Sequence, residues 1–183
     1  MRTSRVRKKP VVAITLAVLA VALAVGLYWF EPWKLFVDET VRDELPEAVP
    51  TAPADASANA SPAALRTLAT GTFISHEHAT EGKVRIVELP DGSRILRLEG
   101  LSTSNGPALR VWLTDAPVKE GAAGWHVFDD GAYVSLGKLK GNKGDQNYAL
   151  PAGVDLAKYS SVSIWCDRFD VSFGAAELSK AAA

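Results

Sequence analysis

The hydrophobic and polar positions of this chain fall into three regimes. From Val11 to Phe30 the sequence VVAITLAVLAVALAVGLYWF is apolar throughout and carries no charge. Its twenty residues extend roughly 30 Å as a helix, the thickness of a bilayer core, so the run predicts one transmembrane helix. Between Lys34 and Ala64 large apolar residues nearly disappear. From Leu65 to Leu178 the pattern changes again, to short apolar runs separated by turn residues. Gly71 to Ser75, Lys83 to Leu89, Ser93 to Leu98, Leu109 to Thr114, Ala132 to Leu139, Gln146 to Leu150, Val162 to Cys166 and Phe169 to Ala175 read as strands. Pro90-Asp91-Gly92 is the clearest hairpin turn. About eight strands at this spacing predict an all-β domain, an antiparallel β-sandwich or barrel. The only helical signal after Ala64 is one turn at Asp155 to Tyr159.

The strongest strand signal is SVSIWCDRFDVSFGAAEL, from Ser161 to Leu178. Val162, Ile164 and Cys166 share one parity and Ser161, Ser163 and Trp165 the other, which turns the thiol toward an apolar face. Phe169, Val171, Phe173 and Ala175 repeat the alternation, so two strands meeting near Asp167-Arg168, or one long bulged strand, fit this stretch.

Charge orients the chain. The formal net charge is −1, but Arg2, Arg5, Arg7, Lys8 and Lys9 stand together without an acid, leaving −6 on the remainder. A basic tail on an acidic domain argues against nucleic acid, which needs a positive surface on the fold. Basic residues before the apolar run and Glu31 after it place residues 1–10 in the cytoplasm and the rest outside, periplasmic or extracellular. Tyr28, Trp29, Phe30 and Trp33 would form an aromatic belt at the outer interface, with residues 11–30 partnered by the lipid bilayer. Bulky aromatics stand where a cleaved signal peptide has small residues, which favours an uncleaved signal anchor. Residues 31–64, acidic and then rich in Ala and Pro, read as a disordered linker holding the domain off the membrane, with a short helix from Val37 to Leu45 as an option. The β-domain then covers residues 65–179, and 180–183 form a tail.

Candidate chemistry centres on Cys166, the only cysteine. Outside the cytoplasm a lone cysteine has three readings: a buried inert thiol, a redox or ligand residue, or half of an intermolecular disulfide. His76 and His78, at an i, i+2 spacing, are metal candidates if they share a strand face and gain His126 or Cys166 as a third ligand; otherwise they are exposed loop histidines. No cofactor is required by the sequence, although bis-His or Cys/His haem ligation or a metal stays open. Lys138, Lys140 and Lys143, interleaved with Gly137, Gly141 and Gly144, lack the order of a P-loop and read as a solvated turn. Trp112, Trp125 and Trp165 read as core or edge packing or as a ligand groove. No serine lies in a Gly-x-Ser-x-Gly elbow and the acids are scattered, so the reading leans away from a stand-alone enzyme.

Several motifs carry a family resemblance. Gly71-Thr72-Phe73 with His76 or His78, Gly106-Pro107-x-Leu109 and Leu136-Gly137-x-Leu139-Lys140-Gly141 come first, followed by Gly144-x-Gln146-x-Tyr148-x-Leu150-Pro151. Tyr159-x-Ser161-Val162-x-Ile164-Trp165-Cys166 and Phe169 with Phe173-Gly174-x-Ala176 complete the series. In this order, over roughly Leu68 to Leu178, they resemble the DM-thirteen or electron-transfer DM domain. The resemblance implies an extracytoplasmic β-rich domain in which Cys166 is the candidate redox residue and Trp165, Phe169 and Phe173 are its surroundings. DOMON or cytochrome domains accompany such domains elsewhere but not in this sequence, so the resemblance implies a separate redox or extracytoplasmic partner. The alternative is a non-enzymatic binding, adhesion or scaffold ectodomain with a buried, inert Cys166.

Overall fold

The computed structural model describes residues 8–46 and 65–181. The apolar run forms one helix, α1 (Lys8–Phe30), whose side chains are almost all exposed because it packs against little of the protein. It is long and apolar enough to cross a membrane. A 3-10 turn over Pro32–Phe36 follows, entered through Glu31 in the left-handed region at φ 43°.

Eleven strands make up the rest: β1 (Thr40–Arg42), β2 (Arg66–Thr72), β3 (Ile74–Ser75), β4 (Glu81–Glu88), β5 (Arg94–Ser102), β6 (Leu109–Thr114), β7 (Tyr133–Lys138), β8 (Lys143–Leu150), β9 (Ser161–Cys166), β10 (Val171–Glu177) and β11 (Ser179–Lys180). They form a six-stranded sheet in the order β1-β8-β5-β4-β2-β11 and a five-stranded sheet in the order β3-β10-β9-β6-β7. Two sheets packed face to face are a sandwich, which decides between the two all-β architectures the pattern allows. Val84, Ile86, Leu96 and Leu98 of the first sheet meet Val111, Leu113, Val162 and Ile164 of the second in a core where each is fully or nearly fully buried.

Local chemistry explains most boundaries. At the β4–β5 hairpin the Leu89 amide donates to the Ser93 carbonyl and the Asp91 carboxylate accepts from the Ser93 amide, while Gly92 takes φ +81°. In the connection from β8 to β9, Tyr159 N–H donates to Asp155 C=O, which closes the single helical turn. The expected strand Gly71 to Ser75 is two strands in different sheets: the chain crosses from β2 to β3 at buried Phe73. Ser161 to Ala176 resolves into two antiparallel strands joined by a turn at Asp167 to Asp170, with a register shift between Ser172 and Gly174.

The linker reading needs two corrections. Val37 to Leu45 is not helical: it contains β1, which pairs in parallel with β8 through Thr40↔Lys143, Val41↔Gly144 and Arg42↔Asp145. Residues 31–39 alone therefore separate the helix from the sheet, too short a stretch to serve as a long stand-off. The Ala/Pro-rich residues 47–64 lie outside the described residues, but in chain order they fall between β1 and β2 and cannot separate α1 from the fold.

The acidic residues of this segment find the lysines that read as a solvated turn. Lys140 pairs with Asp43 and Lys143 with Asp38, while the Asn142 side chain accepts from the Glu39 amide and donates to Asp38 and to the Thr103 carbonyl. Arg97, nearly buried, donates to the Asp43 carbonyl and to the Asp145 carboxylate. The glycines admit the strand: a Cβ on Gly144, at φ +94°, would lie 2.0 Å from the Val41 carbonyl oxygen. Gly144→Ala is accordingly expected to expel β1 and cost about 1–3 kcal/mol, the range for a residue forced into a disfavoured backbone region. Hydrogen exchange at the Asp43 amide, which donates to the Asp145 carbonyl, checks this; unchanged protection there would refute it. The hydrogen bond from Lys140, first, and that from the Asn147 amide hold the Asp43 carboxyl below its ordinary value of 3.8. Its contribution is therefore complete above that value and disappears as pH falls through the lower folded pKa.

Candidate functional site around Cys166

β9 is the central strand of the five-stranded sheet, and all six of its residues are buried. Val162, Ile164 and Cys166 face the inter-sheet core. Ser161, Ser163 and Trp165 face the other way and are also covered, because residues from the stretch between β6 and β7 fold over that side. Trp165 packs there with Trp112, Ala116, Phe128 and Ala175.

The thiol is fully buried, with Leu109 and Val171 as its cross-strand neighbours. Burial, the largest influence, pushes its pKa above the ordinary 9.0, and nearby backbone amides only partly offset it. Desolvation disfavours the thiolate, so the neutral thiol is the stable form in the fold. Arg168 does not activate it: its guanidinium donates to the Trp29 carbonyl, lies 5.3 Å from the Trp29 ring centroid and approaches Glu31 at 3.6 Å.

The residues grouped with Cys166 by sequence separate in space. Phe173 shares the core with it, but Trp165 lies on the opposite face of the sheet. Phe169 is in the β9–β10 turn, 39% exposed, and stacks on Phe30 at the end of the apolar helix α1 with ring centroids 5.7 Å apart. The resemblance implied that grouping, but β9 ends at Cys166, since Asp167 to Asp170 turn and Asp170 adopts φ 50°.

The three histidines all come to the start of β10. His78 stacks on Phe173 at 4.0 Å, His126 Nδ1 donates to the Asp170 carbonyl, and His76 meets Ser172. No group of three His, Cys, Asp or Glu suited to a metal ion forms among the described residues. The expected common strand face is absent, because β3 ends at Ser75 and His76 to His78 lie in a bend. His76 is not an exposed loop residue: it is 8% exposed and stacks on Phe128 at 5.7 Å.

Its bonding fixes its tautomer. His76 Nε2 lies 3.0 Å from the Lys119 carbonyl, which can only accept, so Nε2 carries the hydrogen. Nδ1 must then accept from the Ser172 hydroxyl at 2.8 Å, and Ser172 accepts in turn from Ser163 at 2.9 Å. A buried Ser–Ser–His chain satisfies the polar residues of β9 and β10 beneath the covering segment. Ser172 is fully buried, so no substrate reaches its hydroxyl in the folded domain and the chain is structural.

Sequence reasoning missed one assembly. On the outer face, Tyr133 stacks on Trp112 with centroids 3.9 Å apart and planes 7° apart; Trp112 stacks on Trp165 at 4.9 Å, and Phe128 meets Trp165 edge-on at 6.4 Å. The strand registers Arg110↔Trp165 and Thr114↔Tyr133 put these rings diagonally across neighbouring strands, within reach of one another. The sequence signal was the even parity of Arg110, Trp112 and Thr114, but pairing partners are not written locally.

Burial, the dominant influence, holds the His76 pKa below 6.5. Nitrogen NMR is expected to show the Nε2–H tautomer at neutral pH with a titration midpoint below that value. As pH falls below 6.5 the unfolded chain takes up this proton first, so stability declines across that window. A midpoint at or above 6.5 would contradict the bonding scheme.

The family model described as Electron transfer DM13 matches residues 72–178, which takes in the strands from β3 to β10. No curated protein and no solved structure matches the chain. The motifs quoted from Gly71-Thr72-Phe73 to Phe173-Gly174-x-Ala176 fall within or at the edge of the match, and the chain belongs to the Electron transfer DM13 family.

Proposed function

We propose that this protein is a membrane-anchored domain that exchanges electrons with a separate partner outside the cytoplasm. The family match carries the reading, since it spans more than half of the chain and eight of the eleven strands, β3 to β10. The apolar helix supports anchoring, and the basic residues before it with Glu31 after it support an outward-facing domain. Contacts at the junction support a domain seated close to the bilayer: Phe169 lies on Phe30 and Arg168 on Trp29, while Trp33, Leu35 and Phe36 of the 3-10 turn are exposed. Such an apolar, aromatic collar suits the headgroup boundary.

In this reading Cys166 is the candidate redox residue, and its burial limits the chemistry available to it. No second cysteine exists to form an intramolecular disulfide, and water and external thiols do not reach the sulfur. Thiol–disulfide exchange requires an attacking thiolate and access, neither of which is met in the folded domain. Any part Cys166 plays would therefore be exchange of an electron through the surrounding fold. The same burial favours a second reading, in which Cys166 is a small core hydrophobe and the domain a binding, adhesion or scaffold module.

Full-length protein in nanodiscs is expected to resist a maleimide at Cys166 until it is denatured; labelling of the native protein would refute a shielded sulfur. Cys166→Ser, which places a hydroxyl in the apolar core, is expected to cost about 1–3 kcal/mol in thermal or denaturant unfolding. The redox role is tested with Cys166→Ala, by electron exchange with soluble one-electron oxidants. Loss of exchange with the fold retained assigns the centre to Cys166, whereas absence of exchange in the wild type favours the binding module. For the orientation, protease added to intact cells is expected to cut within residues 47–64, and protection of the whole chain would count against an outside placement.

A further inference from the structure

We propose that the stacked rings of Trp165, Trp112 and Tyr133 form a one-electron relay ending at an acid-rimmed surface site for a cationic one-electron oxidant. The proposal rests on the electron-transfer reading and deepens it by naming the rings and the type of partner. Indole and phenol are among the few side chains that give up a single electron. Here three of them are in continuous ring contact, at 3.9 and 4.9 Å between centroids. The inner end, Trp165, is 1% exposed and the outer end, Tyr133, is 46% exposed, so the stack connects the interior of the domain with solvent.

The proton positions give the relay a direction. Trp112 Nε1 is buried and has no hydrogen-bond acceptor among the described residues. An oxidised Trp112 therefore has no protein group to take its proton and remains a radical cation, which is the form that oxidises a neighbour. Tyr133 can release its phenolic proton to water. The step balances as follows: the oxidant gains one electron from the stack, Tyr133 supplies one electron to the indole radical cation, and its proton leaves to solvent. The products are the reduced oxidant, neutral indoles and a neutral tyrosyl radical. A thiol or enediol reductant in solution returns one hydrogen atom to Tyr133 and closes the cycle.

The surface around the outer end favours a cation. A cavity of about 400 Å³ is lined by Arg110, Asp129, Asp167 and Asp170 beside Tyr133, Trp112 and Trp165, and the single cation there is already paired with Asp167. An acidic rim around the exposed Tyr133 ring raises the encounter rate of a positive partner and repels an anion. A small, shallow contact suits the transient association typical of redox partners.

The test uses full-length protein in nanodiscs and photogenerated tricationic tris(bipyridyl)ruthenium, with transient absorption separating indole from tyrosyl radicals. In the wild type the indole signal is expected to decay as the tyrosyl signal rises. Tyr133→Phe should abolish that rise and prolong the indole radical. Trp112→Phe, which keeps an aromatic ring in the sheet, should uncouple the two signals, with thermal unfolding verifying the fold. Asp129→Asn with Asp170→Asn should slow oxidation by the cation and spare oxidation by anionic hexachloroiridate. A tyrosyl rise that survives Tyr133→Phe, or coupled signals unaffected by Trp112→Phe, would overturn the relay while leaving the electron-transfer reading in place. Equal effects of the Asn pair on both oxidants would overturn the cation site. Absence of any radical in the wild type would overturn the relay and the electron-transfer reading together.

Discussion

A strand whose six residues are all removed from water needs partners on both sides of its sheet, and β9 obtains them from two different sources. On one side the second sheet covers Val162, Ile164 and Cys166, as in any sandwich. On the other side the connection between β6 and β7 supplies Ala116 and Phe128, and β6 itself supplies Trp112. The second layer is why Ser161 and Ser163 cannot be solvated and must bond to Ala116, Thr114 and Ser172. It is also why His76 is drawn inside: buried hydroxyls in a low-dielectric layer need an acceptor, and a neutral imidazole gives one. Cys166 and Trp165 are adjacent in sequence but inhabit separate environments.

Much of this fold was legible in the sequence where the signal was local. Strand alternation located β4, β6, β7 and β9 closely and found β5 and β8 three or four residues short, and the Pro90-Asp91-Gly92 turn fixed one hairpin. Cys166 pointed to the apolar face by parity alone, as observed. What failed was non-local. The switch between sheets at Phe73 has no marker in an otherwise continuous strand pattern. β1 is three residues long and flanked by acids, so its composition resembles a solvated segment until Lys140, Lys143 and Asn142 neutralise and bind it. A glycine-and-lysine loop opposite an acidic stretch was the available signal, since Gly141 and Gly144 leave room for a passing backbone.

Recruitment of β1 changes how the apolar helix α1 relates to the domain. A flexible tether gives its cargo a volume to explore, whereas a strand hydrogen-bonded within nine residues of the helix end holds one edge of the sheet nearby. The β9–β10 turn closes the arrangement from the other sheet, with Arg168 and Phe169 against Trp29 and Phe30. Both sheets thus have a connection to the helix end, one through the chain and one through side chains. Reorientation of the domain about residues 31–39 would break the contacts of Arg168 and Phe169 with Trp29 and Phe30, while β1 moves with the sheet it is paired to.

The division of β9 into two faces also decides which chemistry each side can support. A thiol sealed in an apolar core is stabilised in its neutral form, and nearby backbone amides offset only part of the desolvation an anion would suffer there. Loss of a single electron from a ring stack needs no access for a bulky reagent and no charged side chain in the core. It needs contact between rings, one edge near solvent and somewhere for a proton to go. The outer face provides ring contact through Trp165, Trp112 and Tyr133, and it provides the solvent-facing phenol at Tyr133. The ring-to-ring route from β9 to the surface therefore runs along the aromatic face to Tyr133, with Cys166 on the opposite face of the strand.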